Sequence, residues 1–148
     1  MPGPTSVLDT KTATSQGGRA GGKIALTGDG GSNGRLYLHM EHAKGLGGSG
    51  EGTTPEQLLA LGWSACFNSA VLFVASQQKI DAAKAKVTVA VSIGRDENNK
   101  FALAAKITLS LPGVDAAKAK EIIETAHQVC PFSSATRGNV PVELAVEG

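Results

Sequence analysis

The longest apolar segment of the chain runs from residue 58 to residue 75 and is apolar on nearly every face of a helix. Thr54, just before it, is a good N-cap, Pro55 fits the first helical position, and Gln57 completes a capping box. A helix that is apolar all round is normally buried. The pattern therefore predicts a buried central helix that begins at Pro55 and returns to water at residues 77–79.

Strict alternation of apolar and polar residues predicts strands after this helix. Apolar side chains alternate within residues 84–94 and again within residues 101–111, and the polar segment 95–100 lies between them. Two such runs around a polar turn are typical of a β-hairpin. A final strand is predicted over residues 140–146.

The first third of the chain is predicted to be a β-meander. Its predicted strands cover residues 5–15, 23–27 and 35–40, and glycine-rich turns separate them at residues 16–22 and 28–34. Glycine and asparagine in such turns tolerate positive φ angles.

An amphipathic helix is predicted from Ala116 to about Val129, with Asp115 as its N-cap. Pro131 ends it, because a residue before proline avoids helical backbone angles. Residues 133–139 form a further short turn or helix in this interpretation. The order of strands, helix, hairpin, helix and strand predicts a single α+β domain over residues 1–148, with an antiparallel sheet packed on helices.

Composition narrows the function classes. The 148 residues are 41% hydrophobic, which is enough for a real core, and the net charge is only +1. Without a basic patch we expect no nucleic-acid partner and no anionic membrane surface. The first twenty residues lack the apolar segment of a secretory signal, and the run Val71–Ala75 is too short to span a bilayer. A cytoplasmic location is the expectation.

The chain has two cysteines, Cys66 and Cys130. In a reducing compartment a lone pair more often indicates redox or catalytic chemistry than a permanent disulfide. Cys66 lies within the predicted central helix, where a cysteine is often a small buried hydrophobe. As a reactive thiol it would need a nearby cation, and Arg19, in a glycine-rich turn, is a candidate. From the residues alone the two interpretations of Cys66 carry equal weight.

Cys130 and His127 are three residues apart and would share one helix face. A Cys–His nucleophile pair and half a zinc site are both conceivable, but the lack of a CxxC motif argues against structural zinc. His39 and His42 are three residues apart at the end of a predicted strand, where their side chains would not converge on one metal ion. The glycine-rich loop at residues 45–52 lacks a phosphate-binding motif. Neither a metal site nor a phosphate-binding loop is therefore expected.

Glu56 occupies the second position of the predicted helix, where an acidic residue favours the helix dipole. It precedes Cys66 by ten residues, which places it about 15 Å away along the helix axis. Direct contact with the thiol is not expected. One functional interpretation is that Glu56 anchors an arginine, such as Arg19 from this chain or another. Another is that it holds a proton near the thiol.

Two long motifs carry a family resemblance. The segment TTPEQLLALGWSACF (residues 53–67) and the segment HQVCPFSSATRGNV (residues 127–140) resemble the organic hydroperoxide resistance (Ohr) branch of the OsmC/Ohr family. The resemblance covers nearly the whole chain. It implies an OsmC/Ohr-like α+β fold in which an antiparallel sheet wraps around a long central helix, in an intertwined homodimer with active sites at the subunit interface.

The resemblance also implies a thiol peroxidase without metal, flavin or haem. In it, Cys66 matches the peroxidatic cysteine and Cys130 the resolving cysteine. Arg19 matches the arginine that activates the thiolate, and Glu56 matches the glutamate that pairs with this arginine. The implied reaction reduces organic hydroperoxides, including those of fatty acids, through a Cys66 sulfenic acid and a Cys66–Cys130 disulfide. Dihydrolipoyl-bearing proteins or another dithiol are the implied reductant.

Three aromatic residues are expected to bind substrate: Trp63, Phe67 and Phe132. Each is also compatible with an ordinary core. Phe132 stands where many relatives have tyrosine, Trp63 is bulkier than the usual residue, and the loop at residues 29–33 is locally longer. These departures affect the expected substrate shape and leave the reaction unchanged.

Two other functions remain open at this point. A redox switch or binding module would form the same disulfide without efficient turnover. A Cys–His acyl transferase would use His127 as its base, although a structural role in the helix already explains that residue.

Overall fold

A computed structural model describes residues 4–19, 21–27 and 37–147. The chain divides into two compact units, Met1–Pro55 and Glu56–Gly148. The predicted turn at residues 28–34 lies outside the described residues, and so does the locally longer loop at residues 29–33.

The first unit contains an antiparallel sheet in the order β1-β2-β3, which confirms the predicted meander. Its strands are β1 (Thr12–Gln16), β2 (Lys23–Thr27) and β3 (Tyr37–His39). β1 begins at Thr12 and not at residue 5, because its partner β2 is only five residues long and pairs along its whole length with residues 12–16. Past β3, Met40 forms an isolated parallel bridge with Thr53.

The second unit begins with the long helix α1 (Pro55–Gln77), as the apolar pattern predicts. One side of α1 is buried in this chain and carries Trp63, Phe67, Ala70, Val71, Val74 and Ala75. The opposite side leaves large apolar side chains exposed, with Leu61 at 66% and Phe73 at 56%. Burial on every face, as the sequence predicts, is therefore not reached within one chain.

Helix α1 is also the one described helix that is long and apolar enough to cross a membrane: it has 23 residues and contains an 18-residue window with a mean hydropathy of 1.8. The sequence-based expectation of a segment too short to span a bilayer rests on Val71–Ala75 alone, which is only part of this helix. Core helices meet the same criterion, and the buried side of α1 belongs to the hydrophobic core of its unit.

The second sheet has the order β4-β5-β6. β4 (Lys86–Arg95) and β5 (Phe101–Ser110) form the predicted hairpin, whereas β6 (Val142–Glu147) pairs with β5 in parallel. The predicted antiparallel pairing holds for β4 and β5, whereas β6 departs from it. The physical reason is the helical connection between β5 and β6, since a crossover of this length permits parallel pairing.

Two helices lie between β5 and β6: α2 (Ala116–Val129) and α3 (Pro131–Thr136). The bounds of α2 are those predicted, and the Asp115 side chain caps it by accepting a hydrogen bond from the Lys118 N–H at 3.0 Å. α3 begins two residues earlier than predicted because Pro131 occupies its first turn. One hydrophobic core joins α1, α2 and the second sheet, so the α+β class is confirmed.

Candidate active site

Cys66 and Cys130 lie together although 64 residues separate them in the sequence. Cys66 comes from the middle of α1, and Cys130 from the junction between α2 and α3. Both are free thiols, and the Cys130 thiol donates to the Cys66 sulfur across 3.6 Å. A disulfide bond is about 2.05 Å long, so an approach of about 1.5 Å would close one. The pair is therefore set for reversible disulfide chemistry.

The two sulfurs differ in their access to solvent. Cys66 is half-buried, whereas Cys130 is 0% exposed. A bulky reagent from solvent can therefore reach Cys66 first. Cys130 is placed to react with whatever forms on Cys66.

The surroundings of Cys66 oppose its ionisation. Burial raises the pKa of the Cys66 thiol above its usual value, and the neighbouring Cys130 adds to the rise. The backbone N–H of Phe132 lowers the pKa of this thiol, because a hydrogen-bond donor near the sulfur favours the thiolate. For Cys66 to be a reactive thiolate at neutral pH, a positively charged group must lie near its sulfur.

Two contacts attach α3 to α1 beside the thiols. The Trp63 Nε1–H donates to the Ser133 Oγ at 3.4 Å, and both residues are fully buried. One residue earlier on each helix, the Phe132 ring lies against Gly62, where an added Cβ would stand 3.0 Å from its Cε2 atom. These contacts fix the segment that carries Cys130.

The three aromatic candidates for substrate binding have different surroundings. Trp63 and Phe67 are 0% exposed and belong to the hydrophobic core, while Phe132 is 38% exposed. Among the three, Phe132 is the side chain that a ligand can reach in this chain. Substrate contact by any of them stays a prediction.

His127 packs its ring against Phe67, with centroids 6.3 Å apart. Its Nδ1 is buried and has no hydrogen-bond partner among the residues that the structure describes. Burial lowers the pKa of His127, and the charge of Arg137, whose Nη2 donates to the His127 carbonyl at 2.7 Å, lowers it further. The imidazole is therefore neutral at neutral pH and supplies no positive charge to the thiols.

No group of three potential metal ligands occurs within residues 4–19, 21–27 and 37–147. His39 instead faces Glu41, with 3.5 Å between Nε2 and Oε1.

Arg19 and Glu56 belong to different compact units, and each is described within its own. Arg19 is half-buried and follows Gly17 and Gly18, whose positive φ angles of 83° and 60° form the tight turn. Glu56 lies in the first turn of α1. Because Glu56 and Cys66 share this one helix, the separation of about 15 Å along its axis holds. The pairing of Arg19 with Glu56 stays a prediction.

Three groups of the site are not found by sequence reasoning: Gly62, Ser133 and the backbone N–H of Phe132. A glycine inside an otherwise strong helix was the one available signal, since glycine costs about 1 kcal/mol there relative to alanine. Ser133 and the Phe132 N–H become visible only once α3 is placed against α1.

Comparisons with known proteins show the family to which the chain belongs. The family model described as OsmC-like protein matches residues 48–145, a range that includes both cysteines. An organic hydroperoxide resistance protein of Xanthomonas axonopodis pv. citri is 38% identical over 148 residues, which cover 99% of each chain. The chain belongs to the OsmC-like family, in its organic hydroperoxide resistance branch. The resemblance that the two motifs carry is thereby confirmed.

Solved structures of this branch share the fold of the chain. An organic hydroperoxide resistance protein from Elizabethkingia anophelis, with thiocyanate bound, superposes with a TM-score of 0.85 at 41% identity and covers 97% of this chain and 99% of its own. The OhrB protein of Bacillus subtilis gives a TM-score of 0.80 at 34% identity, with 95% and 100% covered. The OsmC-like α+β architecture is therefore confirmed for this branch member.

Proposed function

We propose that this protein is a thiol-dependent peroxidase that reduces organic hydroperoxides, including those of fatty acids, to alcohols. The observation that carries the proposal is the pair of free thiols 3.6 Å apart, one half-buried and one fully buried. Membership in the organic hydroperoxide resistance branch supports peroxide detoxification as the role.

The proposed reaction has three steps. The Cys66 thiolate attacks the distal oxygen of the hydroperoxide, the O–O bond breaks, and the alkoxide leaves and takes up a proton to give the alcohol. Cys66 then carries a sulfenic acid. The Cys130 sulfur attacks Cys66, water leaves, and a disulfide forms. An external dithiol, such as a dihydrolipoyl group on a partner protein, reduces this disulfide and becomes oxidised itself.

Arg19 and Glu56 have proposed roles in the first step. Burial raises the pKa of the Cys66 thiol, so a guanidinium near the sulfur would restore the thiolate and orient the peroxide. We assign this role to Arg19 and the anchoring of Arg19 to Glu56. No metal, flavin or haem takes part in the proposed steps, because two cysteines carry all the electrons exchanged.

The substrate class follows from the side of α1 that carries Cys66. Leu59 and Gly62 precede Cys66 on the same helix face, and Leu59 is partly buried against the core. Phe132 is half-exposed beside Gly62. This apolar surface beside Cys66 suits a bulky organic group better than hydrogen peroxide, which is small and polar. Phe132 is proposed to touch the substrate, with Trp63 and Phe67 supporting it from the core.

We also propose that the protein is cytoplasmic. Residues 1–148 are proposed to form a single domain. A chain with only two cysteines is more typical of a reducing compartment than of a secreted, disulfide-rich domain.

A homodimer is also part of the proposal. Helix α1 leaves three large apolar side chains exposed: Leu61, Leu72 and Phe73. We infer that this exposed apolar side of α1 is an interaction site. A second copy of the chain is the occupant that the family resemblance implies, with active sites at the subunit interface.

Replacing Phe73 by glutamate is expected to weaken this dimer, because the charge would be buried without a partner. Analytical ultracentrifugation at micromolar concentration should show a shift toward monomer. Phe101→Glu is the matched control, since Phe101 is 61% exposed in the β4–β5 hairpin and outside α1. A Phe73 variant that sediments as the wild type would contradict dimerisation through α1.

Repeated turnover tests the peroxidase function. Wild-type protein at low concentration should consume many equivalents of linoleic or tert-butyl hydroperoxide when dihydrolipoamide is supplied, and it should produce the alcohol. Consumption that stops after one equivalent per subunit would instead support a redox switch. No consumption at all would refute both.

A further inference from the structure

Helix α1 contains one glycine, Gly62, well inside its 23 residues. Glycine is among the least favourable residues in a helix interior. Positive φ does not explain it, because Gly62 is absent from the residues with that backbone conformation. The reason for a glycine at this position is therefore to be found in what lies against it.

The Phe132 ring lies against the backbone of α1 at Gly62. A Cβ atom added there would stand 3.0 Å from Cε2 and 3.4 Å from Cζ of this ring. Contacts this short force one of the two groups to move. A side chain at this position would displace the ring by a few tenths of an ångström.

Phe132 makes a second contact, through its backbone. Its N–H acts on the thiol of Cys66, which lies one helical turn after Gly62, and lowers the pKa of that thiol. Cys130, the other thiol, is two residues before Phe132 in the chain. The position of one aromatic ring is thus coupled to the N–H that acts on the reactive sulfur and to the segment that bears the second sulfur.

We propose that Gly62 is a positioning residue, whose missing side chain lets the Phe132 ring pack on α1 and so keeps the Phe132 N–H on the sulfur of Cys66. Gly62 acts through Phe132 and touches no reacting atom. Its consequence for peroxide reduction rests on the proposed function. Its consequence for the ionisation of Cys66 does not, because this property is measured without peroxide.

The test compares Gly62→Ala with the wild type by the rate of iodoacetamide alkylation of Cys66 against pH, followed on the Cys66 peptide by mass spectrometry. Alkylation requires the thiolate, so a weaker hydrogen bond should move the profile to higher pH and slow the reaction at pH 7 by about threefold or more. The melting temperature should be unchanged or higher, since alanine favours the helix. A profile identical to that of the wild type would overturn the proposal.

A double substitution separates the proposed route from a general effect on α1. Phe132→Ala removes the ring but keeps the backbone N–H, so Gly62→Ala should add no further shift in this background. Equal shifts in both backgrounds would refute action through Phe132. Gly94→Ala is the control, because no heavy atom lies within 4 Å of a Cβ added there.

The outcomes also distinguish this proposal from the proposed function. A shifted alkylation profile in a protein that does not turn over peroxide would retain the role of Gly62 and refute the peroxidase. Turnover combined with an unshifted profile would retain the peroxidase and refute the role of Gly62.

Discussion

Replacement of Cys66 by serine is expected to abolish hydroperoxide reduction, whereas replacement of Cys130 by serine should leave the first reaction with peroxide intact. Cys66 is the more accessible sulfur, and a serine hydroxyl in its place cannot attack the peroxide at neutral pH. Without Cys130 the oxidised Cys66 has no neighbouring thiol to condense with. The Cys130→Ser protein should therefore gain the mass of one oxygen atom per chain, or more on overoxidation, with one equivalent of alcohol released.

Peroxide consumption and intact mass, measured on the same samples, check this pair of variants. Ser92→Ala, on the exposed part of β4, serves as a control and should behave as the wild type. Full turnover by Cys66→Ser would contradict its assignment as the attacking sulfur. The opposite pattern, with activity lost only in Cys130→Ser from the first equivalent onward, would exchange the two roles.

Replacement of Arg19 by alanine is expected to raise the pKa of Cys66 and to lower the peroxide reaction rate at pH 7 by about tenfold or more. Within residues 56–148, burial already raises the pKa of this thiol, and the Phe132 N–H only partly opposes it. A raised pKa leaves less thiolate at neutral pH. The lost activity should accordingly return as the pH is raised through the new pKa, while the melting temperature stays near that of the wild type.

The measurement is the second-order rate with an organic hydroperoxide from pH 5 to about pH 10, alongside alkylation of Cys66. Arg95→Ala is the matched control, because this substitution removes the same charge at a different place. Arg95 stacks over the Phe101 ring in the β4–β5 hairpin, 4.2 Å from the ring centroid. Arg19→Lys should give an intermediate loss, since lysine keeps the charge without the planar fork. A pH profile unchanged in Arg19→Ala would refute the activating role.

Local patterns were sufficient for most elements of the fold. The capping signals at Thr54 and Pro55, the Asp115 N-cap of α2 and the alternation in β4 and β5 predict those elements closely. Each depends on residues near one another in the chain. The rise per residue of a helix is likewise sufficient to place Glu56 about 15 Å from Cys66 along the axis of α1.

Long-range pairing could not be read from the sequence. The parallel position of β6 beside β5 depends on the path of α2 and α3, and the end of β1 depends on the length of β2. The 3.6 Å between the two sulfurs likewise depends on how α3 packs against α1. The contacts responsible, from Trp63 to Ser133 and from Phe132 to Gly62, join residues 70 positions apart in sequence.

The most direct measurement of the central claim is non-reducing mass analysis after one equivalent of organic hydroperoxide is added to the reduced protein. The proposed chemistry predicts the loss of two hydrogen atoms per chain and a single disulfide between the peptides of Cys66 and Cys130. Dihydrolipoamide should reduce this disulfide. A chain that keeps both thiols, or one oxidised only between different molecules, would contradict the claim that these two cysteines act as one redox pair.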